Sequence, residues 1–184
     1  MEVSRHKPDS LPFSVPLAGL EAGMIAALWM LAWMGSNSAW QRRSFWTAEN
    51  LLASTFYGGS AVRDGFSFGT ISGLALYLLI YSSLGCLFAA IFRLKVPPVR
   101  LLLASILVAL AWYYVSFHVI WKTVSPLILL LHAERPTILG HVIYGAVLAR
   151  YPRYLQLSTE PAANPEATGG ASSETAGQIE NQPL

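Results

Sequence analysis

The side chains in this chain best placed to do chemistry are one glutamate and a few histidines set in apolar sequence. Glu21 falls about six residues into the first apolar stretch, between Gly19 and Gly23. An ionisable group within a membrane helix is a candidate proton carrier or cation ligand. At 1.5 Å rise per residue Glu21 is only about 9 Å from the helix start, so it can also snorkel to the headgroups or pair with an arginine. His118 lies three residues before the end of the third apolar run, and His141 lies four residues into the stretch after Pro136. The pair should sit at similar depth, where two imidazoles could hold a metal or a haem iron and titrate near neutral pH. His132 and Glu134 could add ligands, since zinc asks for three or four. The plainer alternative is that each histidine makes an interhelical or interfacial hydrogen bond. No metal site or cofactor is therefore expected, and His118 and His141 are the residues that would hold one.

Glycine spacing points to packing. Gly19-x-x-x-Gly23 and Gly69-x-x-x-Gly73 each set two glycines on one helix face, and Gly140 and Gly145 are further packing candidates near the other end. Such faces let a second helix approach closely, either inside the bundle or from another copy of the chain. Gly85 and Ala89 extend the pattern. Trp29, Trp33, Trp112, Tyr113, Tyr114, Phe117 and Trp121 could line a ligand or quinone pocket, or form interfacial belts. There is no phosphate-binding glycine loop, no nucleophile elbow, no HExxH and no closely spaced acidic pair within a span. The chain is therefore expected not to be an enzyme.

The elements that must position these residues are membrane helices. Residues 22–41, 65–92 and 101–121 hold no Asp, Glu, Lys or Arg over 20, 28 and 21 positions. About 20 apolar residues cross a hydrocarbon core roughly 30 Å thick. With 184 residues, 54% of them hydrophobic and 12% charged, the chain finds its apolar partner in lipid. A net charge of +2 gives no reason to expect nucleic acid. The one cysteine, Cys86, excludes an intrachain disulfide and reads as a packing residue. The first run is expected to be a retained helix rather than a cleaved signal, because no convincing small-residue cleavage site precedes its polar exit.

A fourth span is hidden by Glu134-Arg135-Pro136, since two charges and a proline in mid-membrane would be costly. Pro136 suits a first helical turn. The helix then runs through only 13 uncharged residues, 137–149, so Arg150 and Arg153 must snorkel while Tyr151 and Tyr154 sit at the same interface. The alternative leaves three spans and a surface-lying last segment. The sequence thus predicts an all-α membrane protein with four transmembrane helices at about 15–36, 68–92, 101–121 and 136–155. The Gly35-Ser36-Asn37-Ser38 cluster should break the first helix. Short interfacial helices are expected between the first two spans and between the last two. In the first of these, Phe45, Ala48, Leu52 and Phe56 form the apolar face, with Glu49 and Asn50 off it. A polar segment, 1–14, precedes the bundle. A tail, 158–184, without aromatics and rich in Pro, Gly, Ala, Ser and Thr, is expected to be disordered.

Four spans put both termini on one side of the membrane. Their side carries seven Lys and Arg against five opposite, favouring cytoplasmic termini by the positive-inside rule.

The closing helix GHVIYGAVLARYPR, residues 140–153, resembles the G-H-x-x-Y-G-x-x-L helix of small, uncharacterised bacterial inner-membrane proteins, loosely YagU-like. The opening GLEAGMIAALWMLAWM is similar to their glycine-bearing first helix. The positions carried over are Gly19, Gly23, Gly140, His141, Tyr144 and Gly145. Glu21 departs from the pattern, where an apolar residue is expected, and Ala149-Arg150 ends the last helix early. The resemblance implies a four-helix membrane fold in a bacterial inner membrane and brings no activity with it. The expected function is structural or accessory, with the lipid bilayer as partner and a homo-oligomer through the glycine faces as an option. The alternatives are an oligomeric small-molecule or ion transporter with Glu21 and the histidines as polar lining, and a redox protein with histidine-bound metal or haem.

Overall fold

The computed structural model describes residues 14–63, 65–92 and 96–159, without the side chains of 157–159. The expected polar segment 1–14, apart from Ser14, and the tail beyond Thr159 lie outside the described residues. So do Arg93 and Lys95 of the turn between the second and third spans.

The described residues form helices and no strand. In chain order they are α1 (Ser14–Trp40), α2 (Thr47–Tyr57), α3 (Ser60–Arg63), α4 (Phe68–Ile91), α5 (Pro98–Val115), a π-helical turn (Ser116–Ile120), α6 (Trp121–Val124), α7 (Pro126–Leu131), α8 (Glu134–Leu148) and α9 (Tyr151–Thr159). Three helices are long and apolar enough to cross a membrane: Ser14–Trp40, Phe68–Ile91 and the continuous Pro98–Val124. The chain is a multi-pass membrane protein. Leu79, Leu103 and Leu107 are each more than 60% exposed, as lipid-facing residues are.

At the centre α1 packs along α4 on one side and α8 on the other, with α9 against it. Beyond these, α5 lies on α8 and α2 on α4. The α1–α4 seam is built from buried residues four apart, with Gly19, Gly23 and Ala27 on α1 against Tyr77, Tyr81, Gly85 and Ala89 on α4. Rows at i and i+4 form the ridges that interdigitate when helices pack. At this seam the backbones touch. A Cβ on Gly85 would lie 2.5 Å from the Gly19 carbonyl oxygen and 2.6 Å from the Gly23 Cα, and a Cβ on Gly23 would lie 2.9 Å from the Tyr81 carbonyl oxygen. Gly145 serves likewise on α8, where a Cβ would meet the Ile106 Cα at 2.7 Å.

The expected break at Gly35 is not there. α1 runs on to Trp40, and Gly35 is buried under the Phe45 ring, which folds back over it. Its missing side chain makes room for that ring. The helix ends instead at Arg42, which takes a left-handed φ of 58°. The Arg43 amide then reaches the Ser38 carbonyl and the Arg42 amide that of Ala39, the paired bonds of a Schellman end.

The short helix after α1 is also turned differently from expectation. Its inner face is Glu49, Asn50, Leu51, Ala53 and Ser54, while Phe56 is 61% exposed. Gly73 explains the inversion, because its lack of a side chain lets the Glu49 carbonyl press directly on α4. Once α2 is docked there, Asn50 bridges to the start of α4: the Thr70 hydroxyl donates to Asn50 Oδ1 at 2.6 Å, and Asn50 Nδ2 donates to the Gly65 carbonyl at 3.0 Å. Thr70 also accepts from the Ser67 amide and completes a capping box on α4. Asn50 can lie inside because its side-chain amide has partners there.

The last helix begins at Glu134, and a turn at 149–150 separates α8 from α9 where one helix over 136–155 was expected. The buried face of α8, Thr137, Gly140, His141, Tyr144, Gly145 and Leu148, packs on α1 and α5.

Gly85→Val should lower the unfolding free energy in detergent by about 2–3 kcal/mol or more, because the clashing atoms are backbone and cannot rotate away. Gly69→Ala, whose nearest neighbour would be Ser67 Oγ at 3.4 Å, should be neutral or gain up to about 1 kcal/mol. Thermal or denaturant unfolding of the two variants checks the contrast.

Candidate functional site

The interior polar groups gather where α1, α4, α5 and α8 meet. His141 is fully buried on α8, with its ring beside Tyr81 and Tyr113. Its Nδ1 lies 2.8 Å from the Thr137 carbonyl one turn earlier. A carbonyl only accepts, so Nδ1 carries the proton and Nε2 accepts from the Tyr81 hydroxyl at 2.9 Å. Trp112 of α5 is a further side-chain hydrogen-bonding neighbour of that hydroxyl.

The other phenols end on backbone. Tyr144 donates to the Tyr81 carbonyl at 2.7 Å and Tyr77 to the Ala27 carbonyl at 3.0 Å. The Trp33 indole donates to the Pro136 carbonyl at 3.0 Å, and Tyr151 donates to the Phe92 carbonyl. Each of these bonds joins two different helices.

A cleft opens beside this network, where α4 and α5 share little close backbone packing. It is a narrow space with a water-accessible volume of about 90 Å³, partly open to the surroundings. Its inner wall is apolar and aromatic, with Met30, Met34, Leu51, Leu52, Ile80, Tyr77, Tyr81, Trp112, Phe117 and Trp121. Its other end is polar, formed by Asn37, Ser38, Gln41, Arg43, Thr47 and His132. His132 stacks on Phe117 at 4.3 Å and donates from Nδ1 to the Leu129 carbonyl at 2.7 Å, leaving a buried Nε2 without a partner. An outer, more open hollow with a water-accessible volume of about 380 Å³ adjoins the cleft and shares Arg43, Thr47, Leu51 and Leu131 with it; Arg63 and Ser44 also line it.

One acid is buried. Glu49 is 1% exposed, and its Oε2 has no hydrogen-bond partner. Burial pushes its carboxyl up from 4.5 to about 7, against a smaller lowering by its own backbone amide. Tyr77 is close enough to interact with it electrostatically.

The residues singled out in the sequence are dispersed. Glu21 is exposed on the outward face of α1 with Leu17, Leu20, Met24 and Leu28. His118 is exposed on the π-helical turn, stacked on Tyr114 at 4.4 Å. His141 alone of the pair enters the core. Among the described residues no three His, Cys, Asp or Glu side chains come together as a metal site would require. Gly19, Gly23, Gly73 and Gly145 make close contacts within the chain, Gly140 meets Met30 at 3.2 Å, and Gly69 has only ordinary contacts. Of the aromatic candidates, Trp112, Phe117 and Trp121 line the cleft.

Sequence reasoning passed over Tyr77, Tyr81 and Glu49. For the tyrosines a signal existed: Gly69, Gly73, Tyr77, Tyr81, Gly85 and Ala89 are each four apart and share one ridge.

Between pH 4.5 and about 7 the folded chain keeps a proton on Glu49 that the unfolded chain has released. Stability should therefore fall as pH rises through that window and level off above it. Glu49→Gln should remove this slope and be more stable than wild type above pH 7 by about 1–3 kcal/mol, read from unfolding at several pH values. Tyr81→Phe strands His141 Nε2 in the interior and should cost about 1–3 kcal/mol, read the same way.

Comparison with models of known families, with curated proteins and with solved structures finds no match.

Proposed function

We propose that this chain is a structural or accessory protein of a bacterial inner membrane, without catalysis of its own. It crosses the bilayer four times, through α1, α4, α5 continued by α6, and α8, with both termini in the cytoplasm. The 15 residues of α8 rise only about 22 Å, so the membrane is spanned there with help from the turn at 149–150 and from α9. That places Arg150, Tyr151, Arg153 and Tyr154 at the headgroups. α2, α3 and α7 lie in the opposite interface. The likeness to YagU-like proteins agrees with this architecture.

The observation that carries the reading is how the interior polar groups are used. Tyr77, Tyr81, Tyr144, Trp33 and His141 are each tied to a neighbouring helix or to one another. Hydrogen bonds of this kind hold membrane helices together. Several glycines are likewise spent inside one chain.

Transport is the second reading, favoured by the buried carboxyl of Glu49, which interacts with Tyr77 of the cleft wall. Proteoliposomes carrying a pH-sensitive dye separate the two. The accessory reading expects no proton or solute flux above empty vesicles, and no cellular effect of Glu21→Gln. A flux that Glu49→Gln or Glu21→Gln abolishes would replace it with transport.

A further inference from the structure

We propose that the cleft and its outer hollow form one binding site for an anionic phospholipid, with the phosphate at Arg43 and Arg63 and one hydrocarbon chain in the cleft. The two spaces adjoin, sharing Arg43, Thr47, Leu51 and Leu131. Their chemistry is divided the way an amphiphile is. The outer hollow holds two guanidinium groups with the Ser44 and Thr47 hydroxyls, and among the described residues no acid lines either space. Arginine matches a phosphate through paired N–H donors and is less strongly hydrated than lysine.

The inner cleft is walled by methionine, leucine, isoleucine and aromatic side chains, which suit a flexible alkyl chain. Along α1 it runs from Met30 to Gln41, about 16 Å at 1.5 Å per residue, the length of a medium acyl chain. His132 also lines the cleft, and its buried Nε2 has no partner in the protein. The mouth opens where α1 ends and α2 begins, in the loop that a membrane surface would meet. The site holds its lipid whether the chain crosses the bilayer three times or four.

Full-length protein in detergent is titrated with phosphatidylglycerol, with phosphatidylcholine of the same chains, and with inorganic phosphate, and binding is read by native mass spectrometry and thermal shift. Phosphatidylglycerol should bind one per chain, roughly tenfold or more tighter than phosphatidylcholine. Arg43→Gln with Arg63→Gln should abolish that preference, while Arg43→Lys with Arg63→Lys keeps most of it. Met34→Trp, which fills the cleft, should weaken both lipids. Equal binding of the two lipids by the wild-type protein overturns the proposal, as does a preference that survives the double glutamine change. Protection by inorganic phosphate equal to that by phosphatidylglycerol assigns the arginines to a free anion and removes the lipid. Unchanged lipid binding by Met34→Trp removes the chain from the cleft.

Discussion

The direct contact of α1 and α4 backbones is the constraint on which the rest of this structure depends. Gly85 sits against Gly19 and Gly23 with no space for a side chain on any of the three. In lipid, helices gain little from hiding apolar surface from one another, so association rests on close packing and on interhelical hydrogen bonds. The glycine seam supplies the first and makes the second possible. With the axes this near, the Tyr77 hydroxyl reaches the Ala27 carbonyl. The Tyr81 ring is directed onward to His141 on the helix that covers the other side of α1.

The polar interior follows from the same closeness. A hydroxyl or ring nitrogen without a partner in a water-free core costs free energy, so each must meet an acceptor or donor from a neighbour. The resulting chain of Thr137, His141 and Tyr81, with Tyr144 bound to the Tyr81 backbone, ties α4 to α8. Glu49, the His132 Nε2 and the Thr55 hydroxyl stand apart from this economy, each with a buried atom that no protein group satisfies. For Glu49 and His132 the place is shared. Both lie toward the end of the bundle where α2 and α7 close over α5. The ordered seam and the unsatisfied end divide the molecule into a part that is architecture and a part with room for a ligand.

Much of the fold was legible because its signals are local. Charge-free runs long enough to cross a bilayer, the prolines that open α5 and α7, and the interruption at Glu134-Arg135-Pro136 each act through the nearest residues. The site was less legible. His118 and His141 look equivalent in the sequence, yet one is stacked outside on Tyr114 and the other is in the core. Helical phase decided between them, and that phase is shifted by the π-helical turn at Ser116–Ile120. Glu49 and Asn50 read as a solvated face, since nothing nearby announces that Gly73, 24 residues after Glu49, leaves a socket for the α2 backbone.

By itself, the sequence determined that this chain belongs in a membrane, where its helices lie and which of their residues are small enough to pack closely. Those properties depend on hydropathy, charge and side-chain volume, which are carried residue by residue. Only the tertiary structure decided which glycines meet which backbone, that the inner face of α2 is polar, and that Tyr81 rather than His118 is the partner of His141. It also set Arg43, Arg63 and His132 around adjoining hollows. These are relations between segments tens of residues apart, created by the close approach of α1 to α4 and by the gap left between α4 and α5.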